Sequence, residues 1–384
     1  MRFLNIAAAV LLCLVLMPCC GNKFDPPNAE GQKNGVYTDR QDVLKMIYAI
    51  AEEKGMKVIC DLNMNGGELY RKYTPEYVAG QYKTYVQTFY NRYGRYKSFW
   101  GWYLNNELNP LGPGEKTITA FWHKVWKAAV QECKRVAPQS VVTISPFFLL
   151  DKNGYRGFEY LQPEDYEKWW AQTLLETGID ILMLQDSGAE HIGFFTLDDR
   201  RPFLQALKNA CEKAGAQFWV NVETGEVVAK DWQEFLAMEK SNTRNWKFTP
   251  INWLQQKLEL AAEYGSGIVN WGYFPFMNPV TERGPWPSAE VDGQTITSEG
   301  QRNAYDAYAG YYQKLNSRYS GPQNKKPAIR GTLWWLPVNY ENVPGTDLEN
   351  VIREQIEKQY QAGFDLLWIV NAPANMEYAM RIKE

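Results

Sequence analysis

Histidine is nearly absent: the 384 residues contain 2, His123 and His191. Two imidazoles cannot furnish a transition-metal centre, and no Cys or Asp spacing stands in for one. A glycine-rich phosphate loop and a serine nucleophile elbow are also missing, so no cofactor is expected. Charge of either sign is scarce in excess. The formal net charge of −3 leaves no basic footprint for nucleic acid. Cysteine is sparse beyond the first twenty residues, where only Cys60, Cys133 and Cys211 remain. They are odd in number, far apart and set in strand or helix patterns, which excludes a disulfide framework and reads as core thiols.

Long apolar runs are confined to the start of the chain. After Met1-Arg2, the stretch Leu4 to Met17 is apolar apart from Asn5, and Pro18-Cys19-Cys20-Gly21 closes it. A positive start, an apolar run of this length and a break read as an export signal, too short for an ordinary membrane span. The frames ending at Cys19 or Cys20 resemble a bacterial lipobox, which implies an acylated cysteine and a lipid anchor in the cell envelope. An ordinary signal peptide with chance cysteines is the plain alternative. Residues 21–40, rich in Gly, Asn, Pro and Lys, read as a linker.

What the chain has in abundance is aromatic rings, with 24 Tyr, 17 Phe and 15 Trp. Most such rings are core, although Trp271, Tyr273 and Trp286 follow a strand pattern and fit sugar-stacking platforms. From residue 41 the chain alternates helical and strand patterns. Helices are expected near 43–54, 74–93, 116–136, 164–177, 200–214, 251–264 and 299–317. Strands are expected at 57–63, 99–104, 141–144, 179–184, 217–222 and 267–271. This alternation predicts an α/β protein with a parallel sheet. Six strands do not close a TIM barrel, which needs eight. A β-α-β unit at 328–384 supplies two more, at 329–335 and 365–370. The expectation is one (β/α)8 barrel over 41–384, circularly permuted so that the last two strands precede the strand at 57–62 in space. A truncated second barrel is the alternative.

Polar residues gather where those strands end: Asp61 and Asn63, Asn106 and Glu107, Ser145, Gln185 and Asp186, Asn221 and Glu223, Asn270 and Trp271, and Asn371. Amides orient hydroxyl groups through paired donors and acceptors, so this rim suits a sugar or polyol. Asn63, Asn106, Gln185, Asp186, Asn221, Trp271 and Tyr273 are the candidate substrate contacts. Glu226, in the loop after Gly225, reads as solvated.

An Asn-Glu pair closing one strand (Asn106-Glu107) and a Glu closing another (Glu223) resemble the retaining glycosidases of the large (β/α)-barrel clan. That resemblance implies Glu107 as general acid/base and Glu223 as nucleophile. Gly-Trp-Tyr-x(3)-Glu at 101–107, Leu-Gln-Asp-Ser-Gly at 184–188, Asn-Val-Glu at 221–223 and Trp271 further resemble the exported barrels catalogued as domain of unknown function 4434. The likeness covers about 41–320, with 328–371 similar to that family's opening. It implies a glycosidase-like barrel acting on a carbohydrate substrate. A non-catalytic surface glycan binder and an inactive rearranged fragment are the competing readings.

The N-terminal segment generates a direct test. A fatty-acid probe should label the wild-type protein and place it with membranes. The double change Cys19→Ser, Cys20→Ser should abolish both, and unaltered label would refute the lipid anchor.

Overall fold

A computed structural model describes residues 42–62, 69–106, 108, 116–186, 194–271, 289–319, 329–335 and 348–370. The elements in chain order are α1 (Val43–Lys54), β1 (Lys57–Asp61), α2 (Leu69–Lys72), α3 (Pro75–Tyr93), β2 (Phe99–Leu104) and α4 (Lys116–Val136). Then come β3 (Val141–Ile144), α5 (Pro163–Thr177), β4 (Ile181–Gln185), α6 (Leu197–Ala214), β5 (Gln217–Glu223), β6 (Gly225–Val227), α7 (Trp232–Ser241) and β7 (Trp246–Phe248). The remainder is α8 (Ile251–Tyr264), β8 (Gly267–Trp271), β9 (Ala289–Val291), β10 (Gln294–Ile296), α9 (Ser298–Tyr319), β11 (Ile329–Trp335), α10 (Leu348–Gln361) and β12 (Leu366–Val370).

Eight parallel strands close into a ring in the order β1-β2-β3-β4-β5-β8-β11-β12, with β12 returning to β1. This is a (β/α)8 TIM barrel. As expected, β11 pairs with both β8 and β12. The ring follows chain order throughout, so its closure requires no circular permutation. The helices begin and end for local reasons. Thr196 and Asp199 form a reciprocal capping box that starts α6 at Leu197, ahead of the expected start near 200. Gly215 ends it in a left-handed conformation, φ 71°, where a side chain would be strained.

Strands buried on both faces divide their side chains between two cores. Val58, Cys60, Trp102, Leu104, Val142, Leu182, Leu184, Val220 and Val222 face the helices. There they meet rings such as Phe89, Trp122, Trp126 and Trp170. Ile59, Tyr103, Ile181, Met183, Trp219, Val269, Leu333 and Trp368 fill the interior. Trp368 is packed edge-to-face by Tyr103, with ring centres 5.0 Å apart. The N-terminal end is plugged by Trp219 stacked on Trp100, with the Arg330 guanidinium over both rings. Gly267 makes room for that plug, because a Cβ there would lie 2.6 Å from the Trp219 ring.

Two excursions rise from the opposite end. The chain between β5 and α8 forms the antiparallel pair β6–β7 with α7 between them. The chain between β8 and α9 forms the hairpin β9–β10, turning at Asp292-Gly293. Arg244 grips Asp292 through two nitrogens, and the Gln294 side chain bonds both backbone groups of Trp246. The hairpin is thereby latched onto β7. Burial pushes the Cys211 thiol up to about 12, in keeping with a core role. Among the described residues no helix is long and apolar enough to cross a membrane.

Closure through β11 and β12 sets an expectation for truncation. Deleting residues 328–384 exposes the edges of β1 and β8 and should abolish cooperative unfolding, followed by circular dichroism on heating. A single sharp transition in the truncated chain would contradict it.

Candidate active site

In barrels of this kind the C-terminal strand ends carry the chemistry, because the loops that follow them converge on one mouth. Along β5, Phe218, Val220 and Val222 pack against the helices while Trp219 packs inside. That alternation turns Asn221 and Glu223 inward at the mouth end of the strand. Glu223 is 6% exposed and stands opposite Trp271 of β8 in the ladder. Trp271 is not an open stacking platform. It is buried, edge-on to Trp368 at 6.1 Å, as part of the interior wall.

The amides at this level donate to groups on neighbouring strands. Asn221 Nδ2 donates to Ser145 Oγ at 3.0 Å, and that hydroxyl donates to the Met183 carbonyl at 2.7 Å. Gln185 Nε2 donates to the Ser145 carbonyl at 2.9 Å. Asn105 Nδ2 donates to Asp61 Oδ2 at 3.3 Å. These bonds tie β1 to β2, and β3 to β4 and β5, under the mouth, and fix the side chains of Asn221 and Gln185, expected to meet a substrate. The acceptor Asn221 Oδ1 has no hydrogen-bond partner among the described residues. Asn106 is buried, while Asn270 points toward the outer layer and donates to the Val222 carbonyl. Asn63, Glu107, Tyr273 and Asn371 lie outside the described residues, as do Cys19, Cys20, His191 and Trp286.

Asp186 follows Gln185 by one residue and faces the other way. Its carboxylate is buried behind the barrel wall, 2.9 Å from Lys257 Nζ and 3.5 Å from Arg200 Nη1. Arg200 also donates to the Asp186 carbonyl at 3.0 Å. Burial lowers the Arg200 pKa, opposed first by the charge of Asp186 and then by those of Glu223 and Glu226. Asp186 is thus placed as a structural ion partner and not at a sugar hydroxyl. Glu226, expected in solvent, is 1% exposed and paired with Lys247 at 3.0 Å. Sequence reading missed Arg200 and Lys257, yet a signal was there. Lys257 sits on the apolar stripe of Leu254, Leu258 and Ala261, and Arg200 on that of Phe203, Leu204 and Leu207. A cation on a buried helical face must find an anion.

Among the described residues no cluster of His, Cys, Asp and Glu could hold a metal ion.

A family profile described as "Domain of unknown function (DUF4434)" matches residues 12–283. The chain belongs to that family. Comparison with curated proteins gives no match. Among solved structures, a proposed α-L-fucosidase from Bacteroides thetaiotaomicron is 21% identical, with 64% of each chain covered and a TM-score of 0.44. The carboxyl transferase domain of Rhizobium etli pyruvate carboxylase is 11% identical over 88% of this chain and 44% of that one, TM-score 0.41. The Ignisphaera aggregans GH53 catalytic domain is 15% identical over 68% of this chain and 78% of that one, TM-score 0.41. The chain spans less than two thirds of the first two of these structures.

The buried triad makes Asp186 costly to remove. Asp186→Ala leaves Arg200 and Lys257 as two buried cations without their shared partner, and should destabilise the fold by about 3–5 kcal/mol. Urea unfolding measures it, and a loss below about 1 kcal/mol, the scale of an exposed pair, would contradict the burial argument.

Proposed function

We propose that this member of the DUF4434 family is a retaining glycoside hydrolase, with Glu223 as nucleophile and Glu107 as general acid/base. The observation that carries the reading is Glu223 itself: an inward carboxylate at the mouth end of β5, beside the indole wall of Trp271. A carboxylate so placed can attack an anomeric carbon.

The partner carboxylate in this reading is Glu107. Glu107 follows Asn106 directly after β2, and β2 and β5 are three positions apart round the barrel. In the barrel clan that these motifs resemble, the acid/base closes the fourth strand and the nucleophile the seventh, the same separation whichever strand is counted first. Retention requires the two carboxyl groups roughly 5–5.5 Å apart, against about 6.5–9.5 Å for inversion. Glu107 must be the protonated member, since it releases the leaving group. In this reading the chemistry takes place at the cell envelope, with residues 21–40 as the linker to a lipid anchor on Cys19 or Cys20.

The test is a screen of 4-nitrophenyl glycosides and glycan oligosaccharides with wild type, Glu223→Gln and Glu107→Gln. Glu223→Gln should lose turnover on every substrate. Glu107→Gln should lose about 10²–10⁴-fold on oligosaccharides, whose leaving groups need protonation, and far less on 4-nitrophenyl glycosides. Wild-type rates in both variants would refute the assignment. Glycan binding by the wild type without turnover would favour the non-catalytic surface binder.

A further inference from the structure

We infer that Asp186 and Lys257, locked by Arg200, are positioning residues that hold the backbone of Glu223 from behind the barrel wall; the inference rests on the nucleophile role proposed above. Both backbone polar groups of Glu223 are clasped by this pair. Its N–H donates to Asp186 Oδ1 at 3.4 Å, and its carbonyl accepts from Lys257 Nζ at 2.7 Å. Lys257 and Asp186 are themselves joined at 2.9 Å, so a closed circuit of three contacts encircles one residue. The Asp186 N–H donates to the Asn221 carbonyl at 3.0 Å, fixing the circuit to β5 two residues earlier.

Each member comes from a different element: Asp186 from the end of β4, Arg200 from α6, Lys257 from α8. The void beside them is lined by Phe148, Leu204, Val220 and Leu260, which keeps the charges in an apolar setting. Charged hydrogen bonds are stronger and more directional there than in water. The circuit therefore fixes the Cα of Glu223, and with it the point from which the carboxylate reaches into the mouth. None of the three side chains enters the mouth, so substrate affinity should not depend on them.

Lys257→Met is the informative variant. It removes the carbonyl donor yet leaves Asp186 with Arg200 as an ion pair of opposite charges. On a 4-nitrophenyl glycoside turned over by the wild type, kcat should fall about 10²-fold, the cost of a displacement near 1 Å, with KM within about twofold. Lys257→Arg restores a donor and should recover much of kcat. Amide exchange of a peptide spanning 217–224 should quicken by about tenfold in Lys257→Met, read by mass spectrometry without any substrate. Should Lys257→Met melt far below wild type, Lys257→Gln replaces it in the same comparison. Wild-type kcat and wild-type exchange in a folded variant, with Glu223→Gln inactive, would overturn this inference alone. A fully active Glu223→Gln would overturn the proposed function and the catalytic part of the inference together.

Discussion

The ladder between β1 and β12 is the constraint on which the molecule depends. It joins the two ends of the described chain, with Lys57 opposite Leu366 and Ile59 opposite Trp368. Without it the sheet is an open curl with two unpaired edges, and the interior rings around Trp368 lose their enclosure. The flanking helices reinforce the seam through Lys54–Glu357 and Arg353–Glu53. These exposed pairs contribute little each, roughly 0–1 kcal/mol, so the backbone bonds and the buried apolar layers carry the closure.

A ring has no first strand. The same cyclic order results whether the chain opens at β1 or was permuted to begin there. What survives any choice of origin is the relative placing of elements. The three-step interval between β2 and β5 is one such invariant, and the shared mouth of all eight strand ends is another.

Much of the fold was legible because its signals are local and periodic. The buried run Val58-Ile59-Cys60 and the left-handed Gly55 before it mark a helix-to-strand step within a few residues. The excursions were not legible, because their signals are long-range. β6, β7, β9 and β10 each have three residues, too short for a period, and the latch joins Trp246 to Gln294 across 48 positions. The site was read at the level of strand ends but not at the level of faces. Gln185 and Asp186 are neighbours in sequence and belong to opposite sides of the wall, a distinction set by the parity of β4. Glu226 reads as solvated because it follows a glycine, whereas β6 folds back and buries it.

That parity has a consequence for how such a barrel can change over time. Asn221 and Gln185 line the chamber, so a substitution there alters its polar lining and the bonds each makes to Ser145. Asp186, Arg200 and Lys257 are different. Arg200 and Lys257 both take Asp186 as their buried anion, so losing it leaves two cations without that partner. The barrel thus sets two kinds of constraint one residue apart, one facing the mouth and one facing the helices.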